Sequence, residues 1–114
     1  MREPACDKER LIHIKEAIDS IARYINGVTM EELMADDMRY YAVVKNIEII
    51  GEAANMLTFE FRDNHPETPW KMIAGMRNYL THEYFQIKQD VVREVLMQDL
   101  PELATQIENY MKEL

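Results

Sequence analysis

MRYYAVVKNIEIIGEAANML (Met38–Leu57) decides the fold. Its apolar residues Tyr40, Val43, Val44, Ile47, Ile50, Ala54 and Leu57 recur mainly at steps of three and four, which is one face of an α-helix. Gly51, Ala53 and Ala54 are small enough to let a second helix approach closely. Glu48, Glu52 and Asn55 fall on another face of the same helix.

The flanking segments carry the same period. Leu11, Ile14, Ile18, Ile21 and Ile25 form a stripe that Gly27 ends, and His13 lies off it beside Lys15 and Glu16, as a solvated surface histidine. VTMEELMADD reads as a short helix or turn in which Thr29 and Glu32 have capping-box spacing. TFEFRDNHPETPW is the one long loop-like stretch, and His65 within it is expected to be incidental. Thr68 as N-cap and Pro69 at the first helical position start the next helix, with Trp70, Ile73, Met76 and Leu80. Asp90 caps a further helix through Val91, Val92, Val95 and Leu96. Pro101 starts the last, with Leu103, Ile107, Tyr110, Met111 and Leu114. The nine methionines are expected mostly at core positions, where flexible thioethers fill gaps. No strand alternation and no internal repeat is visible. The fold expected is an all-α antiparallel bundle of four to five helices, one domain over residues 1–114.

Composition excludes several function classes. A formal charge of −8 argues against a broad basic surface wrapped by nucleic acid, and no DNA partner is expected. It allows a small basic cleft, for which Arg62, Lys71, Arg77, Lys88 and Arg93 are candidates. It also allows a basic protein partner. The single cysteine, Cys6, forms no intrachain disulfide and fits a reducing cytoplasm. The charged N-terminus lacks the apolar stretch of a signal peptide, and no apolar run approaches a membrane span.

The chemistry concentrates in RNYLTHEYF (Arg77–Phe85). Asn78 and His82, four apart, share a helical face, so the amide can fix the imidazole tautomer. Arg77 and Tyr84 share another. Arg77 and His82 stand ~140° apart around an ideal helix. They converge only if the helix bends or ends near Thr81, if the arginine reaches around, or if a second copy of the chain completes the site. Histidine moves protons at neutral pH, and arginine carries a permanent cationic fork that fits phosphate oxygens. Together they can cleave RNA without a metal. Glu48 and Glu52 are read as a solvated or salt-bridged face rather than a metal site, and Tyr79 as packing.

Arg77-Asn78-Tyr79-Leu80-Thr81-His82-Glu83-Tyr84 matches R-x4-H-x-Y and resembles the signature of HepT-like toxins in the HEPN superfamily of helical ribonucleases. IEIIGEAAN (Ile47–Asn55) resembles that family's I-G-E-A segment, and PWKMIAGMRNYLTHEYFQI (Pro69–Ile87) its second block. The resemblance implies a HEPN-like homodimer with each site in a cleft near the dimer interface. It makes His82 the acid/base, Arg77 the phosphate-binding residue and Asn78 a supporting group, with Glu52 and Asn55 as candidates for lining the site. It implies no cofactor. The implied partner is an MntA-like minimal nucleotidyltransferase antitoxin that uses ATP to transfer AMP to Tyr84. The alternative is a non-catalytic helical dimer that binds nucleotide and serves as the nucleotidyltransferase's partner subunit.

Overall fold

The Met38–Leu57 stripe forms the central helix, α3 (Asp37–Asn55), whose Val43, Ile47, Ile50 and Ala54 are all buried. The structure is a computed structural model that describes the backbone of residues 4–82 and 89–114 and the side chains of residues 6–76 and 89–114. The elements are α1 (Pro4–Ile25), α2 (Met30–Ala35), α3, α4 (Phe59–Asn64), α5 (Trp70–His82), α6 (Gln89–Glu94), a π-helical segment (Val95–Asp99) and α7 (Leu100–Glu113). The described residues are all-α, with no strand among them. Four long helical rods carry the bundle, and α2 and α4 are short additions. No helix among the described residues is long and apolar enough to cross a membrane.

α3 packs between α1 and α5, while α7 closes on α1. Small residues permit this: Gly51, Ala53 and Ala54 are buried where neighbouring helices approach. Leu11, Ile14 and Ile21 fill α1's side of the core, and Trp70, Ile73 and Met76 fill α5's. Removing one such side chain, for example Ile47→Ala, costs about 2–5 kcal/mol, because the site collapses only partly.

Local signals set the helix ends. α1 stops at Ile25, and Gly27 takes φ +72°, a left-handed conformation that glycine adopts without penalty. The Thr29–Glu32 capping box is complete: Glu32 N–H donates to Thr29 Oγ1 and Thr29 N–H to Glu32 Oε1.

Five expectations change. Residues 59–64, read as loop, form α4, because the Thr58 hydroxyl accepts a hydrogen bond from Phe61 N–H. Thr58 is itself fixed by buried Asp7 of α1: its N–H and hydroxyl donate to the two Asp7 carboxylate oxygens at 2.8 and 2.7 Å. Thr68 does not cap α5. The first intrahelical bond runs from Ile73 N–H to Pro69 O, and the Thr68 hydroxyl turns to Gln106 and Tyr110 instead. The last two expected helices are one continuous helical run from Gln89 to Glu113, with Asp90 inside its first turn. Pro101 has no N–H for the carbonyl four residues back, and its ring crowds that turn. The widened π turn takes up the mismatch, with Leu100 N–H donating to Val95 O five residues back. The methionines are less buried than expected. Met76 is in the core, but Met38, Met56, Met72 and Met97 are exposed, because they sit off the apolar stripes of their helices.

His65 is not incidental. Its ring stacks on Phe61 and meets Tyr110 edge-on, and its nitrogens lie 2.8 Å from Phe61 O and 2.9 Å from Glu113 Oε2. Trp70 Nε1–H donates to His65 O. The α4–α5 connection is thereby tied to the end of α7, and this positions the start of α5.

Candidate functional site

The α3–α4–α5 turn builds a groove. Glu52, Asn55 and Met56 border it from the end of α3, Arg62 from α4, and Lys71, Ala74 and Gly75 from the start of α5. Its volume is about 390 Å³, within the ~300–1,000 Å³ range of small-molecule sites. Glu52 and Asn55, expected from sequence to line a site, thus do line the principal groove. Glu48 does not border it. Its half-buried side chain places the carboxylate 4.0 Å from the Nζ of exposed Lys45, the salt-bridged arrangement expected from sequence. Among the described residues no group of three or more His, Cys, Asp or Glu side chains could hold a metal ion.

A second groove of about 370 Å³ adjoins the first, sharing Glu52 and Met56 and adding Arg10, His13, Ile49 and Ala53. His13, expected to be solvated, is half-buried here because α1 runs antiparallel to α3 and places it over the α3 C-terminal half. Arg10 was not singled out from sequence. It brings a third cation: among the described residues the two grooves hold Arg10, Arg62 and Lys71 against Glu52 as the one carboxylate of the lining. On a chain of charge −8, the described lining of the two grooves is net positive. Of the expected basic patch, Arg62 and Lys71 come together. Arg93 is exposed on α6 and borders neither groove.

Arg62 is held in place. It follows the Thr58 cap by one turn, and its guanidinium carbon lies 4.9 Å from the centroid of the exposed Phe59 ring. That is cation–π distance. Beyond the groove, Tyr110 donates to Glu67 Oε1 at 2.8 Å, and its pKa is pushed up to about 12, first by burial and then by Glu67 and Glu113. For His65, burial favours the neutral ring, but the hydrogen bond to Glu113, that to Phe61 O and the nearby Glu113 and Glu67 charges outweigh it. The net pKa is raised. Both ring nitrogens face acceptors, and only the protonated ring can donate from both.

The R-x4-H-x-Y stretch lies largely outside these descriptions. The side chains of Arg77, Asn78 and His82 lie outside the described residues, and so does the whole of Tyr84. The backbone of α5 is described and is helical through His82. Register gives one further fact. Positions 78 and 82, seven and eleven residues beyond Lys71, each fall within ~20° of it around the helix. The face that enters the groove through Lys71, Ala74 and Gly75 is the face that leads to Asn78 and His82, whereas position 77 lies ~120° from Lys71.

Two features of α5 are locally unfavourable. Lys71 is the second residue of the helix, whose first turn has no acidic side chain. A cation there opposes the helix dipole at a cost of ~0.3–1 kcal/mol. Gly75 is mid-helix, which costs ~0.8–1 kcal/mol against alanine. No neighbour excludes a Cβ there, since nothing lies within 4 Å of the position it would take.

Comparison with known proteins agrees with the family resemblance. A family model described as "Ribonuclease HepT-like" matches residues 14–110. The chain is 36% identical over 102 residues to a protein of Caldanaerobacter subterraneus subsp. tengcongensis named as a candidate RNase, covering 90% of this chain and 91% of that one. It is 34% identical over 105 residues to a protein of Thermococcus cleftensis named as a candidate HepT ribonuclease, covering 92% and 96%. A Methanocaldococcus jannaschii protein, named for both γ-glutamylcyclotransferase and candidate RNase functions, is 38% identical over 104 residues, which is 47% of its length. No solved structure matches the chain.

Proposed function

We propose, for a chain that belongs to the HepT-like ribonuclease family, that it is a metal-independent endoribonuclease and the toxin of a type VII-like toxin–antitoxin pair. The observation that supports this most is the groove. An acidic chain gathers cations beside Glu52 and Asn55, on the face of α5 that continues to positions 78 and 82.

In this reading His82 removes the proton from a ribose 2′-OH, and that oxygen attacks the adjacent phosphorus. The 5′-oxygen leaves, taking a proton from the acid form of the site, and a 2′,3′-cyclic phosphate remains on the other fragment. Arg77 neutralises charge on the phosphoryl oxygens in the transition state. Asn78 sets the His82 tautomer. Arg77 reaches its partner through a bend or end of α5 near Thr81, around the helix, or from a second copy. A homodimer is favoured by an exposed stripe on α3: Met38, Tyr41, Ile49 and Met56 lie within an arc of ~80°. An MntA-like nucleotidyltransferase silences the enzyme by transferring AMP from ATP to Tyr84. The added phosphate and bulk then compete for Arg77 and block the RNA.

The test is cleavage of total RNA by partner-free protein in chelator, comparing wild type with His82→Ala. Cleavage by the wild type alone, with both proteins equally helical, is the expected result. Intact RNA with the wild type refutes the reading. Intact mass after incubation with the nucleotidyltransferase and ATP should show AMP units that Tyr84→Phe does not acquire.

A further inference from the structure

The groove between α3, α4 and α5 carries more than the motif requires. Neither Lys71 nor Gly75 is placed well for helix stability. Both border the same groove, and local rules broken without a compensating gain concentrate at functional sites. The open space above Gly75 is concave volume that a side chain would fill. Arg62 supplies a second cation from α4, and Phe59 beside it presents an exposed aromatic face. Cations spaced across a concave, small-residue floor, next to an aromatic face, suit a single strand. They bind its phosphates while its bases stack. A groove of about 390 Å³ is too small to seat a duplex.

We infer that this groove is a substrate-strand subsite, in which Lys71 and Arg62 hold a phosphate of single-stranded RNA flanking the cleaved bond and the bare Gly75 backbone leaves room for the nucleotide. The inference rests on the ribonuclease reading and names what that reading leaves open, namely where the acidic chain grips its RNA. The strand then leads along α5 from Lys71 past Gly75 towards positions 78 and 82.

The test uses the full chain, free of partner, and a fluorescein-labelled single-stranded oligoribonucleotide bearing 2′-O-methyl groups, which remove the attacking hydroxyl. Lys71→Glu is expected to weaken binding about tenfold or more, and Lys71→Ala to reduce the slope of log K against log salt by about 0.7, the value for one phosphate contact on a single strand. Gly75→Leu should weaken binding comparably while Tm stays at or above the wild-type value, which separates a filled groove from a damaged fold. Arg93→Glu makes the same charge change outside the groove and should have a much smaller effect. Equal losses from Lys71→Glu and Arg93→Glu, or wild-type binding by Gly75→Leu, overturn the subsite. If those results come with normal cleavage of unmodified RNA by the wild type, the ribonuclease reading stands and only the subsite falls. If the wild type neither binds nor cleaves RNA, both fall. Variants that keep RNA but lose the nucleotidyltransferase assign the groove to a protein interface and also refute the proposal.

Discussion

Asp7→Ala tests how the groove is held together. The Asp7 carboxylate is 5% exposed and accepts from both Thr58 N–H and the Thr58 hydroxyl. That hydroxyl in turn accepts from Phe61 N–H and so starts α4, which carries Arg62 to the groove. Alanine leaves two buried donors unpaired, at ~1–3 kcal/mol each. The hydroxyl can rotate to another acceptor, so the larger part of the loss comes from the backbone N–H, and the sum is about 3 kcal/mol. At ~2.1 cal/mol/K of unfolding entropy per residue, a chain of 114 residues then loses about 12 °C in Tm. Differential scanning calorimetry at fixed protein concentration measures this. The mechanism also requires coupling. Once Asp7 is gone, Thr58→Ala should cost ~1–2 kcal/mol less than it does in the wild type. A Tm drop under ~2 °C for Asp7→Ala, or strict additivity in the double-mutant cycle, refutes the idea that this carboxylate fixes α4.

Three other outcomes follow from the same geometry. Gly75→Ala should raise stability by about 0.5–1 kcal/mol in urea titration, because a Cβ meets nothing there and helix propensity improves. Thr29→Ala removes a cap from α2 and should cost about 1 kcal/mol by the same measurement. For His65 the folded pKa is raised, so its contribution is full below the ordinary histidine pKa and is lost as pH rises through the higher folded value. The stability gap between wild type and His65→Gln should therefore shrink as pH rises from 6 towards 8.5. The pH-dependent part of that gap should stay under about 1 kcal/mol, because Glu113 is largely solvent-exposed.

The periodic helices were legible because burial imposes its own period. The α3 stripe, the α1 stripe and the Trp70–Ile73–Met76 face are buried where the pattern places them. Capping was legible where it is local, as in Thr29 with Glu32. α4 was not legible, because its cap depends on Asp7, fifty-one residues away, and no window along the chain contains both. His65 escaped for the same reason: its partner Glu113 is forty-eight residues distant. Thr68 carried a correct N-cap signature, but Tyr110 and Gln106 compete for its hydroxyl. Tertiary bonds to the buried Thr68 side chain overrode the local preference. Glu52 and Asn55 were visible only through the family resemblance. Their spacing said which face they share, and the fold supplied Arg62 and Lys71 opposite them.

The acidic composition and a nucleic-acid substrate are compatible on electrostatic grounds. At physiological salt the Debye length is ~8 Å, so an RNA phosphate in the groove is influenced chiefly by the charges within that distance. The described lining of the groove and its neighbour presents Arg10, Arg62 and Lys71 against Glu52. The chain's excess of carboxylates repels an RNA that lies directly against the surface and lowers its non-specific affinity, which on the proposed reading favours a single strand able to enter the groove over duplex RNA resting on the surface. On the proposed reading low basicity works as a filter on substrate form, and the few cations become decisive because they are few. Charge-neutral substitutions on the far surface should accordingly leave cleavage unchanged, whereas loss of Lys71 alone should be felt.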